Sequence, residues 1–435
     1  MTFFHRHSPL PLLFFAACLG CGQGSAPDFH LNMVKMASKE LDDDYQQQIA
    51  DVLGAMFGTP DKPATLPETG FDQRRLELAA GAAWNAADGV GHGLYRRHCV
   101  HCHGITGDGR GPTARFLNPY PRDYRKGIFK FKSTYNSQKP TDDDLHRVLM
   151  NGVPGTSMPS FSLLPPAEVE SLLEYVKYLS IRGEMEQKLA DYAYDLGEEE
   201  TVDDKGAPVL NDKGEPVMRL IPLDPTQKKE QADEIKGLLE EVMEPWNAAK
   251  EQVIAPDEAQ IPHDGRPADE VAASIAKGRE LFYDKRANCY TCHGPTGLGD
   301  GQQNDWDVWN KEANELVTTT KALAEQPDKD ATDLASLSAR QKVVASLYPI
   351  RNAIPRNLRK GIYRGGNRRI DVYHRIHAGI AGTPMPGSGP ASAGAQGTLK
   401  DEEIWNIVDY VLSLPYEAIS KPQTAVQMNP RPVTQ

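Results

Sequence analysis

The sequence predicts a mainly α protein. Two tandem copies of one helical domain are joined by a charged linker, a helical segment precedes the first, and the second carries a helical insertion. Three observations support this. A Cys-x-x-Cys-His run occurs twice, as Cys99-Val100-His101-Cys102-His103 and Cys289-Tyr290-Thr291-Cys292-His293. The features flanking each run recur in the same order, so the repeat spans whole domains. Outside these runs, apolar residues return every three or four positions, the period of a helix with one buried face.

The repeated run has a chemical reading. Two thiols two residues apart on one helical turn can reach both vinyl groups of a single haem and form thioethers, and the following His is carried to the iron as proximal ligand. Zinc would require two further Cys or His at matching spacing. A redox dithiol would require a βαβ context. Neither is nearby. Two covalently bound haem c groups are therefore expected, one on Cys99 and Cys102 with His103 on the metal, the other on Cys289 and Cys292 with His293 on the metal.

In chain order, residues 1–21 read as a lipoprotein-type signal. His5, Arg6 and His7 precede an apolar run from Leu10 to Leu19, too short to span a bilayer. It ends at Cys18-Leu19-Gly20-Cys21, which resembles a bacterial lipoprotein signal with Cys21 as the lipidation site. Cys18 is the competing position, and plain secretion is the other alternative. No later stretch is apolar enough to cross a membrane, so lipid would be the sole anchor. Residues 22–87 form a tether and N-terminal helices. One helix is expected from about Ser38 to Met56, stopped by Gly58-Thr59-Pro60, and another from about Phe71 to Ala83. Their expected role is packing on the first domain, with partner docking as the alternative.

The first domain is expected over 88–182. Gly91-x-x-Leu94-Tyr95 leads into the haem run, and Gly104, Gly107, Gly109 and Gly111 follow it. Glycines here are expected to let backbone pass close to a large flat ligand. The basic segment Pro121 to Lys130 comes next, then a helix from Asp142 to Met150. Gly155-Thr156-Ser157-Met158-Pro159 follows, and a closing helix from Pro166 to Ser180 buries Val169, Leu172, Leu173, Val176 and Leu179. The linker, 183–269, holds Asp204-Lys205-Gly206 and Asp212-Lys213-Gly214 turns within a small β-hairpin. Pro225 to Val253 reads as a helix of alternating charge with a solvated face.

The second domain, 270–416, repeats the first: Gly278-x-x-Leu281-Phe282, Gly294, Gly297, Gly299 and Gly301, Pro355 to Arg364, Gly382-Thr383-Pro384-Met385-Pro386, and a closing helix from Asp401 to Leu414. It departs in two places. Gln302 stands where the first domain has Pro112. An extra stretch at about 302–351 carries Trp306, Trp309 and two helical patterns, about Asn310 to Glu325 and Thr332 to Leu347. A surface hairpin is one reading of it; a cover over the second haem edge or a docking surface is the other. Residues 417–435 are a tail.

In this order the parts resemble class I cytochrome c, present twice. The resemblance implies that a downstream Met supplies the distal iron ligand, here Met158 and Met385, and that a loop backbone orients the proximal imidazole. The latter is less secure in the second domain, which lacks the proline. His146, His374 and His377 are the rival distal ligands. His/Met ligation leaves iron no open position and favours Fe(II), which suits one-electron transfer. Arg122 and Arg356, at matching places in the basic segments, are candidates to hold haem propionates; a basic surface that steers an acidic partner is the rival reading.

The chain has 435 residues and a net charge of −12, which argues against nucleic acid as partner. Its six cysteines are four in the haem runs plus Cys18 and Cys21, leaving no disulfide pair. The expectation is a non-enzymatic dihaem cytochrome relaying electrons in a bacterial respiratory chain, lipid-anchored to the cell membrane and facing the periplasm. Its donor would be a quinol-oxidising complex or dehydrogenase, its acceptor a terminal oxidase or soluble cytochrome. The alternatives are a fixed cytochrome subunit of a larger oxidoreductase, or a dihaem peroxidase or thiosulfate-oxidising enzyme. The enzymes need an open or unusual iron position, which two matched Met residues argue against.

Overall fold

The computed structural model describes residues 27–418, apart from 212, 328 and 393. Cys18, Cys21 and the signal lie outside the described residues. The helix expected from about Ser38 to Met56 starts later, as α2 (Asp43–Phe57), and a short α1 (Met33–Ser38) that was not expected precedes it. Glu40, with φ 54, turns the chain between them, and Asp42 caps α2 by accepting from Tyr45 N–H. A short α3 (Gln73–Ala79) and a two-residue ladder, β1 (Trp84–Asn85) with β2 (Gly91–His92), lead to α4 (Leu94–His98) and the first haem-run helix, α5 (Val100–His103).

Beyond α6 (Asp142–Asn151), the first half is organised around α7 (Pro166–Asp195). This helix runs well past its expected end at Ser180. Ile181, Met185, Leu189 and Ala193 continue the buried stripe at four-residue spacing, and no breaker intervenes before Gly197, which has φ +73. Gly183 does not stop it, because a Cβ there would collide with the Arg125 backbone. The hairpin is present, pairing β3 (Glu198–Glu200) with β4 (Met218–Leu220) in antiparallel register. The charged helix α8 (Lys229–Asn247) has a solvated face, but Ile235, Leu239, Val242 and Trp246 sit in the same core as α2 and α7.

In the second half, α9 (Ala268–Tyr283) crosses α14 (Asp401–Ser413) so closely at Gly278 that a Cβ would strike the Asn406 carbonyl. Between them come α10 (Cys289–His293), the insertion helices α11 (Val308–Glu325) and α12 (Ala331–Ser346), and α13 (Arg369–Ala378). Leu281, Phe282, Trp405, Val408 and Tyr373 form this core. The insertion is a helical hairpin, but it packs on the first half. Leu316 and Val343 bury against Ala37 of α1. The Arg351 guanidinium lies 3.8 Å from the centre of the Tyr120 ring, and Tyr348 packs on Tyr120. Among the described residues, no helix is long and apolar enough to cross a membrane.

Candidate haem sites

Each haem run forms a short helix ending at a glycine in the left-handed region, Gly104 (φ 74) and Gly294 (φ 76). The last glycine of each series lies against protein backbone. A Cβ on Gly111 would meet the carbonyls of Val100 and His101, and one on Gly301 that of Thr291, so it is the haem-run helix that passes close to them. The loop folded by these contacts brings the basic segment under the histidine. His103 Nδ1 lies 3.0 Å from the Arg122 carbonyl, and His293 Nδ1 lies 3.3 Å from the Arg356 carbonyl. A carbonyl only accepts, so each Nδ1 carries the proton and each Nε2 keeps its lone pair. Burial pushes His103 down to about 4, opposed by that carbonyl bond, and burial also lowers His293, so both imidazoles are neutral. The missing proline in the second domain is therefore not needed for orientation: the first Arg of each basic segment supplies the carbonyl.

The methionine loops are built alike. Val153 N–H donates to the Met158 carbonyl and Ile380 N–H to that of Met385, both at 3.1 Å. Thr156 Oγ1 accepts from Met158 N–H at 3.1 Å, and Thr383 Oγ1 from Met385 N–H at 3.3 Å. His103, Met158, His293, Met385 and the four Cys-run thiol positions Cys99, Cys102, Cys289 and Cys292 all line one continuous cavity of about 1280 Å³. The rivals His146, His374 and His377 do not line it. His374 Nε2 is 3.1 Å from the Ile254 carbonyl, and His377 packs between Tyr135 and Tyr373.

The two halves meet reciprocally. A Cβ on Gly155, in the first methionine loop, would meet Arg356 Nη2 and, at 3.0 Å, Ile362 of the second basic segment. A Cβ on Gly382, in the second methionine loop, would meet Ile128 of the first basic segment at 3.1 Å. Ile128 and Ile362 occupy the same position in the repeat, as do Gly155 and Gly382. Phe131 and Gly365, also equivalent, touch each other. Corresponding residues thus pair across the contact as in a two-fold interface between identical subunits.

Arg122 and Arg356 both line the cavity, and the first basic segment is not an open charged surface; in the second, Lys360 is exposed, as is Arg368 just beyond it. The Arg122 guanidinium stacks on Trp309, and Arg125 pairs with Asp123 and is buried. Lys126 pairs with Glu312, and Lys130 with Asp307 at 3.1 Å. Sequence reasoning singled out only Arg122 and Arg356 from the basic segments. Lys130 and Arg364, equivalent in the repeat, line the cavity with them, as does Trp309, which was read with a cover over the second haem edge.

The residues fit a haem at each run. Trp309 Nε1, Arg356 Nη2 and Arg364 Nε are buried donors without a hydrogen-bond partner, and all three residues line the cavity. Such donors call for acceptors, and a haem brings carboxylates. The thiols suit neither alternative: burial pushes Cys99 and Cys289 up to about 12, far from thiolates poised for redox exchange. Among the described residues, no group of three or more His, Cys, Asp or Glu side chains is arranged to hold a metal ion such as zinc.

A search of curated proteins finds no match. Among solved structures, a chain of the reducing HAO-like protein complex of Kuenenia stuttgartiensis is similar, with 22% identity and a TM-score of 0.41, over 74% of this chain and 94% of that one. The sequence itself matches the cytochrome c family over residues 90–180 and 275–415, more than half of its length and on both haem runs. The chain belongs to the cytochrome c family, with two cytochrome c domains.

Proposed function

We propose that this protein relays single electrons through two covalently attached haem c groups, the first of which would be held by His103 and Met158 and the second by His293 and Met385. One observation carries the reading: both haem-run histidines and both methionine loops, built with matching hydrogen bonds, face one cavity. When bound, each haem supplies a one-electron couple. The chain supplies the rest. The Arg122 and Arg356 carbonyls hold the imidazoles in one tautomer, the Thr156 and Thr383 hydroxyls fix the methionine backbone, and apolar walls such as Leu149, Leu173 and Val411 keep water from the edges. Fixed ligands change little between oxidation states, which suits transfer and not substrate turnover.

The signal and Cys21 support a protein lipid-anchored outside the cytoplasm, facing the periplasm. In that place the donor is a quinol-oxidising complex or dehydrogenase, and the acceptor a terminal oxidase or soluble cytochrome, within a respiratory chain. The ligand reading is tested with carbon monoxide. Met158→Ala and Met385→Ala should each open one haem of two to it, while the native protein stays closed. Full binding at either haem of the native protein would sink the closed-site argument.

A further inference from the structure

Trp309 belongs to the insertion of the second domain, yet its partners belong to the first. Arg122 sits 3.6 Å above the centre of its ring, and the Lys130 ammonium is 5.3 Å from it. Asp307, two residues earlier, holds Lys130 at 3.1 Å. Arg122 also carries the carbonyl that orients His103. The far edge of the indole rests against Gly382. Its Nε1 is buried without a partner and the residue lines the cavity. Burial, helped by repulsion from Arg122 and resisted by Asp307, pushes Lys130 down to about 8. This wall holds a buried indole N–H without an acceptor beside the Arg122 guanidinium and the Lys130 ammonium, so it is complementary to carboxylates.

We propose that the insertion of the second domain completes the haem site of the first: Trp309 donates its indole N–H to a propionate of the haem on Cys99 and Cys102, its ring fixes Arg122, and Asp307 fixes Lys130 beside the same propionates. The assignment rests on the haem reading above. Residues of one domain thereby set the potential of the other domain's haem. The signs follow from charge. Removing the Trp309 donor leaves the propionate less neutralised, which favours the ferric state and lowers the midpoint. Removing the Asp307 carboxylate, read near pH 6 where Lys130 keeps its charge, takes a negative charge away from beside the propionates, which favours the ferrous state and raises it.

The test uses the full-length dihaem protein, titrated spectroscopically. Trp309→Phe keeps the stacked ring and loses only the N–H. Asp307→Asn keeps a residue able to cap α11, where Asp307 accepts from Asn310 N–H. One of the two redox waves should fall with Trp309→Phe, and the same wave should rise with Asp307→Asn. Adding Met385→Ala with carbon monoxide, which holds the second haem ferrous, should remove the other wave and leave the shifted one. Unmoved waves, a shift of the same sign in both variants, or a shifted wave that carbon monoxide removes would each overturn the proposal. Failure of the ligand reading looks different: Met385→Ala takes up no carbon monoxide and no wave disappears, while the two shift signs remain readable.

Discussion

Gly382→Ala tests the reciprocal contact between the domains. Gly382 has φ +71, and a Cβ there would lie 2.9 Å and 3.0 Å from the Trp309 ring and 3.1 Å from Ile128 Cγ2. The left-handed backbone alone costs an L-residue roughly 1–2 kcal/mol. Overpacking adds roughly 1–3 kcal/mol, because the indole is held on its other side by Arg122 and has no soft direction of retreat. Gly197→Ala is the control: its φ is +73, but nothing lies within 4 Å of the added Cβ, so only the backbone part applies. The assay is guanidinium unfolding followed by helical circular dichroism, with separate fits if the halves melt apart. Gly382→Ala should lose about 1–3 kcal/mol more than Gly197→Ala, the overpacking share alone. Equal losses would refute close packing of the second methionine loop on Trp309 and on Ile128 of the first domain.

Acid-extracted, denatured protein should retain two haems per chain; haem passing into organic solvent would rule out thioether attachment. Radiolabelled fatty acid should enter the mature chain and be lost in Cys21→Ser, whereas unchanged labelling would move the site to Cys18 and no labelling would mean simple secretion. Burial holds His374 below its ordinary 6.5, opposed by the Ile254 carbonyl. The unfolded chain therefore binds the extra proton first: its contribution to stability is complete above about pH 6.5 and is lost as pH falls towards the lower folded value. Denaturant midpoints measured across that window should fall less steeply in His374→Gln, and an identical slope would remove His374 from the account.

Much of this was legible because a repeat checks itself. Each haem run, each methionine loop and the insertion helices were readable from spacing, and the insertion helices fall within a residue or two of where periodicity put them. What escaped depended on contacts distant in sequence. Nothing in the pattern of α8 says that its apolar stripe joins the core of α2 and α7, since alternating charge looks the same on a linker. The length of α7 was underestimated because the stretch from Gly183 was read as charged linker; the room Gly183 makes for Arg125 is visible only in three dimensions. That Gly111 and Gly301 lie against the haem-run helix was not legible either, because a glycine in a sequence records only close approach, not what approaches. Trp309 looked like part of the second haem's surroundings because sequence proximity places it there, while folding carries it to the first.

Facing the basic segments inward also alters what an approaching protein meets. Arg122, Lys130, Arg356 and Arg364 are among the cations counted in the net charge of −12, yet all four line the internal cavity. Those four cations face the cavity, while the chain as a whole keeps its net negative charge. Long-range attraction would then act on basic partners, and only within about 8–10 Å at physiological salt. The net acid charge is what a distant partner meets, while four of the chain's cations face the cavity.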